Sequence, residues 1–144
     1  MNPIELLKNA RVEVAPETFF LVSLPHNDWL KLLENPELSP RMSAPFMIFR
    51  DQWEVTLLLD DIDFGTIRYA IRDAKIKGNF RLLTFDIALD FAVVGFLAEI
   101  LRILAQADIS IVALSAFSRD HILVERQNLA KALKVLGEYV GELC

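Results

Sequence analysis

Cysteine is almost absent from this sequence of 144 residues, in which Cys144 is the only one. A lone cysteine excludes a disulfide framework and a cysteine-rich metal cluster within the chain, and it gives no reason to expect an oxidising compartment. The first five residues also lack the basic and apolar regions of a signal peptide. We therefore expect a cytoplasmic protein.

Positive charge is also scarce. Fifteen Lys and Arg residues stand against 20 Asp and Glu, which gives a net charge of −5 and a pI near 5.0. Because the chain offers no basic stripe to neutralise phosphates, we expect no nucleic-acid partner.

Residues that commonly carry chemistry are few. His26 and His121 are the only histidines, and with one cysteine they do not assemble a metal site. Asp120 precedes His121, but neighbouring residues of a strand point to opposite faces, which makes them a poor catalytic pair. Neither a nucleophile elbow nor a glycine-rich phosphate loop is present. We expect no enzymatic activity, no cofactor and no metal.

Apolar residues, in contrast, make up 53% of the chain, and the mean hydropathy is +0.34. The most apolar run, residues 91–107, contains Glu99, Arg102 and Gln106 at positions i, i+3 and i+7. This spacing is typical of the polar edge of a buried helix, so no membrane span is expected. We expect the high content of apolar residues to form a large core or a surface that is buried against a second copy of the chain.

The order strand, helix, strand, strand, helix is predicted twice along the chain. In the first half the predicted strands are Phe19–Leu24, 46–49 and 55–59, and the predicted helices are 28–34, capped by Asp28, and 63–74, ended by Gly78 and Asn79. In the second half the predicted strands are 80–86, 109–117 and 121–124, and the predicted helices are 91–107, opened by Asp90, and 129–140.

The two halves are offset by 68 residues between Phe49 and Phe117 and by 65 between Asp63 and Asn128. This offset predicts a duplication, with units at residues 1–78 and 79–144. The alternating segment 10–14 is predicted to be an edge strand that can complete the second unit, and strand 80–86 can be shared between the units.

The second half carries a family resemblance. Asp90–Leu97 opens a helix after a strand, Ala107–Ser115 follows it, and this pattern resembles the ACT domain, the small regulatory module of enzymes of amino-acid metabolism. A finer resemblance, to short tandem-ACT proteins related in architecture to the cytosolic arginine sensors of animals, rests on four features: Asp86, Val93-Val94-Gly95, Ile109-Ser110-Ile111 and Ser118–Val124. The resemblance is specific over residues 81–126 and weak before Pro45.

The resemblance implies an α+β fold of two ferredoxin-like βαββαβ units, each an antiparallel sheet with helices on one face. It also implies that the chain binds a small effector, an amino acid, without transforming it. Family members bind this effector at an interface between ACT units, where a loop corresponding to Asp86–Val93 meets a neighbouring unit. The corresponding loop of the first half, Leu24–Trp29, has no glycine and no matching motif, so we expect no equivalent pocket there.

A free amino acid needs N–H donors for its carboxylate and acceptors for its ammonium group. The candidate ligand-binding residues are Asp86, Leu89, Asp90, Phe91, Ala92, Val93, Gly95 and Ser115. We expect the amides of residues 91–93, at a helix N-terminus, to hold the carboxylate. Asp90 or Asp86 would pair with the ammonium group, and Gly95 would let a neighbouring backbone approach.

Three of these residues also have a structural alternative. Asp90 can be a plain helix N-cap, and Gly95 can serve helix-on-sheet packing equally well. Ser115 and Ser118 can serve turn hydrogen bonding. The acidic cluster Asp60, Asp61 and Asp63 is expected to be a solvated strand end with a helix cap, the alternative being a site for a divalent cation or a basic side chain. Trp29 and Trp53 are expected in the core.

Two functions remain open from the sequence. The first is a non-enzymatic regulatory module that binds an amino acid or a similar small zwitterion at an ACT–ACT interface, as a homodimer. The alternative is a structural protein that forms homo-oligomers and has no small-molecule ligand.

Overall fold

The structure is a computed structural model, and it describes residues 2–90 and 92–144. The backbone divides into two compact units. One unit, here called the split unit, contains the residues up to Pro16 together with Phe80–Cys144; the other, here called the continuous unit, is Glu17–Asn79. Strand β5, Lys75–Asp86, contributes residues to both.

The continuous unit follows the predicted order. Its elements are β2 (Phe19–Leu24), α2 (His26–Leu33), a 3-10 turn (Pro36–Leu38), β3 (Met47–Arg50), β4 (Val55–Asp60), α3 (Asp61–Ile67) and the first residues of β5. Strand β4 pairs antiparallel with both β2 and β3. Alternate residues of these strands, such as Val22 and Leu57, form a buried cluster with Leu32 of α2 and Phe64 of α3.

The split unit repeats this order and adds elements at both ends of the chain. Its elements are α1 (Pro3–Lys8), β1 (Arg11–Val14), the remainder of β5, α4 (Phe96–Gln106), β6 (Ile111–Ser115), β7 (Asp120–Glu125), a 3-10 turn (Arg126–Asn128), α5 (Leu129–Leu136) and β8 (Glu142–Leu143). Strand β7 pairs antiparallel with β6 and β5, and β1 pairs antiparallel with β5. A larger core cluster joins these strands to α1, α4 and α5.

These observations confirm the predicted α+β class and its two βαββαβ-like units. The segment near residues 10–14 forms β1 and lies in the split unit, opposite residues 83–86 of β5. The prediction that it is an edge strand is wrong, because β8 pairs with it in parallel, Arg11 opposite Glu142. Helix α1 and strand β8 were not predicted, since six and two residues are too short for a clear periodicity.

The second helix of the first half is shorter than predicted. It ends at Ile67, and Gly78, predicted to end it, lies inside β5. The side chains of Phe64, Ile67 and Ile71 are all buried, which explains why their spacing indicated one long helix. A Cβ atom on Gly78 would lie 2.3 Å from Cδ1 of Phe20, so the glycine is required by the close approach of this ring.

The first helix of the same half begins at His26, after Pro25, so Asp28 lies in its first turn and is not the predicted N-cap. Both tryptophans were predicted to be core residues, but neither is fully buried. Trp29 is half-buried against the core cluster, whereas Trp53 is 73% exposed in the turn between β3 and β4.

The acidic cluster also differs from the prediction. Asp60 is the N-cap of α3, accepting from the amide of Asp63 at 2.8 Å, but both side chains are buried and do not form a solvated end. Arg41 donates from Nη2 to Asp60 at 2.7 Å and from Nε to Asp63 at 2.8 Å. The cluster therefore holds a basic side chain, which was the alternative.

Candidate functional site

A pocket of about 180 Å³ lies in the split unit, between the loop that follows β5 and the turn that joins β6 to β7. The loop contributes Leu89, Asp90 and Val93, and the turn contributes the six residues from Ser115 to Asp120. Four of the candidate residues, Leu89, Asp90, Val93 and Ser115, therefore line one pocket.

The loop after β5 is not the helix N-terminus that the sequence predicts. Asp90 accepts from the amide of Ala92 at 3.0 Å through Oδ1, and its carbonyl oxygen accepts from the amide of Val93 at 3.0 Å. These local bonds form a turn, and α4 begins only at Phe96. The amides of Ala92 and Val93 therefore serve the loop itself, and Asp90 does not cap α4. Phe91 lies outside the described residues.

Gly95 is the residue that precedes α4. Its φ is +89°, in the left-handed region, where a side chain is strained. A Cβ atom on Gly95 would lie 3.3 Å from Cγ of Pro3 in α1. The structure thus accounts for this glycine by its backbone conformation and its contact with α1, which is neither the approach of a neighbouring backbone nor the helix-on-sheet packing expected from the sequence.

Arg119 links the two segments that form the pocket. Its Nε donates to Oδ1 of Asp86 at 2.8 Å, and its Nη1 donates to Oγ of Ser118 at 3.3 Å. The carbonyl oxygen of Ser118 accepts from the amide of Leu89 at 2.8 Å. Asp86, expected to pair with an ammonium group, instead forms an ion pair with Arg119 at the end of β5.

Acceptor groups line the same pocket. Asp120 accepts from the hydroxyl of Ser115 at 2.7 Å, and the amide of Ala116 donates to the carbonyl oxygen of Arg119 at 2.9 Å, which closes the turn. The residues that line the pocket thus include Arg119, Asp90 and Asp120. An arginine and two aspartates are residue types that can bind the carboxylate and the ammonium group of a small zwitterion.

The sequence did not single out Arg119, although the turn that contains it, Ser118–Val124, was part of the resemblance. An arginine in a hairpin turn has no periodicity that distinguishes it from a solvated charge. The only sequence feature that could have indicated it is that the two predicted turns, Phe49-Arg50-Asp51 and Phe117-Ser118-Arg119-Asp120, share Phe, Arg and Asp in the same order.

His121 lies next to Asp120 but makes a different contact. Its Nδ1 is 2.8 Å from the hydroxyl oxygen of Thr84, the residue opposite it on β5. Burial is the main cause that lowers the pKa of His121 below the ordinary 6.5, and it outweighs the opposing effect of Asp120. The imidazole therefore lies half-buried on the sheet with a hydroxyl partner.

Neither a cluster of metal-ligating side chains nor a membrane-spanning helix is found in residues 2–90 and 92–144. Over that range no group of three or more His, Cys, Asp or Glu side chains is arranged to hold a metal ion. Over the same range no helix combines the length and apolar character needed to cross a membrane.

The class of fold is given by comparison with known families. Residues 75–138 match the family model described as the ACT domain, and this segment includes the whole pocket described above. The predicted resemblance over residues 81–126 lies inside it. No curated protein sequence matches the chain.

Solved structures extend the likeness to nearly the whole chain. The Vibrio cholerae protein VC0802, described as of unknown function and a possible transport protein, is 24% identical with a TM-score of 0.70, over 95% of each chain. The regulatory subunit of aspartate kinase from Thermus flavus is 8% identical with a TM-score of 0.66, over 89% of this chain and 95% of that one.

A third solved structure is Escherichia coli aspartokinase III, in complex with aspartate and ADP. It is 14% identical with a TM-score of 0.63, over 89% of this chain and 32% of that one. At these identities the matches show the fold alone. The chain thus has the fold of tandem ACT regulatory regions, and none of these matches supports the finer link to arginine sensors.

Proposed function

We propose that the chain is a non-enzymatic regulatory module that binds a small zwitterion, an amino acid, in the pocket of the split unit. The observation that carries the proposal is the convergence of Arg119, Asp90 and Asp120 on one pocket within the segment that matches the ACT domain. The aspartate kinase regulatory structures named above, which share the fold, support a regulatory role.

Arg119 is the proposed anchor of the ligand carboxylate. A guanidinium carries five N–H donors in a planar fork, so it can hold a carboxylate while it still contacts Asp86 and Ser118. Asp90 and Asp120 are the proposed acceptors for the ammonium group, while Leu89 and Val93 provide apolar wall for the ligand side chain. Ser115 positions the carboxylate of Asp120 through its 2.7 Å bond.

A second copy of the chain is proposed to complete the site, as in an ACT–ACT interface between protomers. Val94 and Phe117 are each 84% exposed, and both belong to the segments that form the pocket. Large apolar side chains at the rim of a polar pocket favour coverage by protein. The ligand would then stabilise one packing of the homodimer, and a downstream partner would respond to that packing.

We also propose that the chain is a duplication whose copies divide near Gly78, with residues 10–14 exchanged into the second copy. The pairing of β1 with β5 supports this division. The location proposed is the cytoplasm, where the exposed thiol of Cys144 would stay reduced.

The second candidate function is homo-oligomeric assembly without a ligand. It is favoured by the ion pair between Arg119 and Asp86, which already neutralises the charge that a ligand carboxylate would seek.

A thermal-shift panel of the twenty amino acids distinguishes the two candidates. A ligand at 100 times its dissociation constant adds about 2.7 kcal/mol to the free energy of unfolding. We expect an increase in Tm with one or a few amino acids, lost in Arg119→Ala and Asp90→Asn. The matched control is Arg126→Ala, which removes an exposed arginine of the same unit outside the pocket and should keep the response.

A flat panel combined with a Tm that rises with protein concentration would instead support assembly without a ligand. Sedimentation velocity of the wild type, with and without the amino acid that gave a shift, then tests the dimer. If the chain sediments as a monomer while the ligand is bound, the proposed completion of the site by a second copy is wrong.

A further inference from the structure

A second pocket, of about 230 Å³, lies in the continuous unit and differs in chemistry from the first. It is lined by Trp29, Leu32, Leu33, Pro36, Leu38, Ser39, Pro40, Ile48, Leu57, Leu59 and Ile67. None of these side chains carries a charge, and Ser39 supplies the one hydroxyl group among them. The pocket opens to solvent, since the lining side chains of Leu33 and Ile48 are 57% and 40% exposed.

The pocket exists because short helices cover this sheet incompletely. Helices α2 and α3 have eight and seven residues, and the 3-10 turn at Pro36–Leu38 with the loop after it forms the remaining wall. The floor is β4, where Leu57 and Leu59 are 2% and 1% exposed. The apolar surface of the floor is therefore continuous with the core of the unit.

The loop wall is held in place from outside the pocket. Arg41 follows Pro40 directly, and besides its two ion pairs its backbone amide donates to Asp63 at 3.2 Å. The carboxylates that it contacts are 1% exposed in Asp60 and 3% in Asp63. Because a buried carboxylate must keep its partner, the loop is fixed at Arg41 and does not collapse onto β4.

We propose that this pocket binds a small neutral apolar molecule, one aromatic ring with a short substituent or two fused rings. The volume lies above the roughly 150 Å³ at which an apolar cavity holds benzene and below the roughly 300–1,000 Å³ of pockets for drug-sized ligands. A charged ligand is disfavoured because no lining side chain would compensate its desolvation. The half-buried indole of Trp29 supplies an aromatic surface for the ring.

Ethylbenzene and benzylamine form the matched pair of probes, since they share a shape and differ by one charge near neutral pH. In Trp53→Phe, the fluorescence of the protein arises from Trp29 alone among tryptophans. We expect ethylbenzene to change the Trp29 emission saturably and benzylamine to leave it unchanged.

Ile48 and Phe49 provide the matched variants, made in the Trp53→Phe background. Ile48 lies opposite Leu57 and lines the pocket, while Phe49 lies opposite Thr56 on the other face of β3. Ile48→Arg should weaken ethylbenzene binding at least tenfold, and Phe49→Arg should preserve it. If Ile48→Arg fails to fold by circular dichroism, Leu33→Lys, at an exposed lining position on α2, replaces it.

The proposal is overturned if the Trp29 emission shows no saturable change up to the solubility limit of ethylbenzene, or if binding persists in Ile48→Arg. A dimer that Ile48→Arg dissociates, with no ethylbenzene binding in the wild type, would assign the pocket to a second copy of the chain and equally overturn it. Arg119→Ala should leave ethylbenzene binding unchanged, so this test is independent of amino-acid binding in the split unit.

Discussion

The split unit and the continuous unit repeat one order of elements but cover their sheets differently. In the split unit, α4 has 11 residues and α5 eight, and together with α1 they join one large core cluster. In the continuous unit, the helices have eight and seven residues, and the cluster they form is smaller. The pocket described in the split unit lies between a loop and a turn that carry charged residues, whereas the pocket described between the short helices of the continuous unit is lined by uncharged residues.

The largest effect is expected from truncating one leucine in each unit. Leu104 of α4 is fully buried in the larger cluster, so Leu104→Ala should destabilise the chain by about 2–5 kcal/mol. Leu57 is 2% exposed but borders the pocket, so Leu57→Ala removes fewer contacts and should cost less. Urea unfolding followed by circular dichroism measures both. Equal costs would mean that the pocket is filled or closed in solution.

The next prediction concerns the ion pairs that Arg41 forms with buried carboxylates in the continuous unit. Asp63→Ala removes an acceptor of Arg41 and should lower the free energy of unfolding by about 1–3 kcal/mol. Asp61, two residues earlier and exposed, is the matched control, and Asp61→Ala should change it by less than about 0.5 kcal/mol. If urea unfolding gave similar changes in the free energy of unfolding for the two variants, the contacts of Arg41 with Asp60 and Asp63 would not stabilise this unit.

Two glycines of the continuous unit are expected to respond with opposite signs. Gly78→Ala places a Cβ atom against the Phe20 ring and should destabilise the chain by about 1–3 kcal/mol. Gly65 lies inside α3, and a Cβ atom added there would have no neighbour within 4 Å, so Gly65→Ala should stabilise the chain by about 0.5–1 kcal/mol. Thermal unfolding of both variants is the measurement. A stabilised Gly78→Ala would mean that the ring of Phe20 moves freely.

The smallest effect is a pH dependence confined to the split unit. Because burial lowers the pKa of His121 in the folded state, the unfolded state binds the proton more readily. The contribution of neutral, buried His121 to the free energy of unfolding is complete above the ordinary pKa of 6.5. It is lost as the pH falls from there through the lower pKa of the folded state. His121→Gln should reduce the loss of stability below pH 6.5, measured by urea unfolding across that range.

The control for that measurement is His26→Gln, which removes the only other histidine and keeps His121. If both variants show the pH dependence of the wild type, the loss of stability in acid comes from carboxylates and not from the sheet of the split unit.

Strands were predictable from this sequence where both faces or alternate residues are apolar. Phe19–Leu24 was predicted with the bounds that the structure has, because its composition and the following Pro25 agree. Helix ends were less predictable, since they depend on contacts between distant residues. Phe64 and Ile67 lie in α3, whereas Ile71 is buried although it follows the end of the helix. Gly78 does not end a helix, and it is a glycine because the Phe20 ring lies against it.

Four of the predicted site residues line one pocket, but the hydrogen-bond donors expected from the sequence are not the ones that the structure offers there. Leu89, Asp90, Val93 and Ser115 line the pocket because the loop and the turn lie at one end of adjacent elements, which the repeat order implies. The expected donors, backbone amides at a helix start, are instead engaged by the turn at Asp90. Arg119 could not be identified as a donor from sequence, since its bond to Asp86 joins residues 33 positions apart.

The division of the split unit into two segments affects the order in which the parts of the chain can fold during synthesis. Strand β1 is translated before the continuous unit, yet the residues that pair with it, 83–86 of β5 and strand β8, are translated after that unit. Since domains generally fold as units during synthesis, residues 17–79 can fold while the first sixteen residues still wait for their partners. A ribosome stalled far enough beyond residue 79 for that residue to have left the exit tunnel should therefore carry a protease-resistant segment, residues 17–79, preceded by a cleavable one.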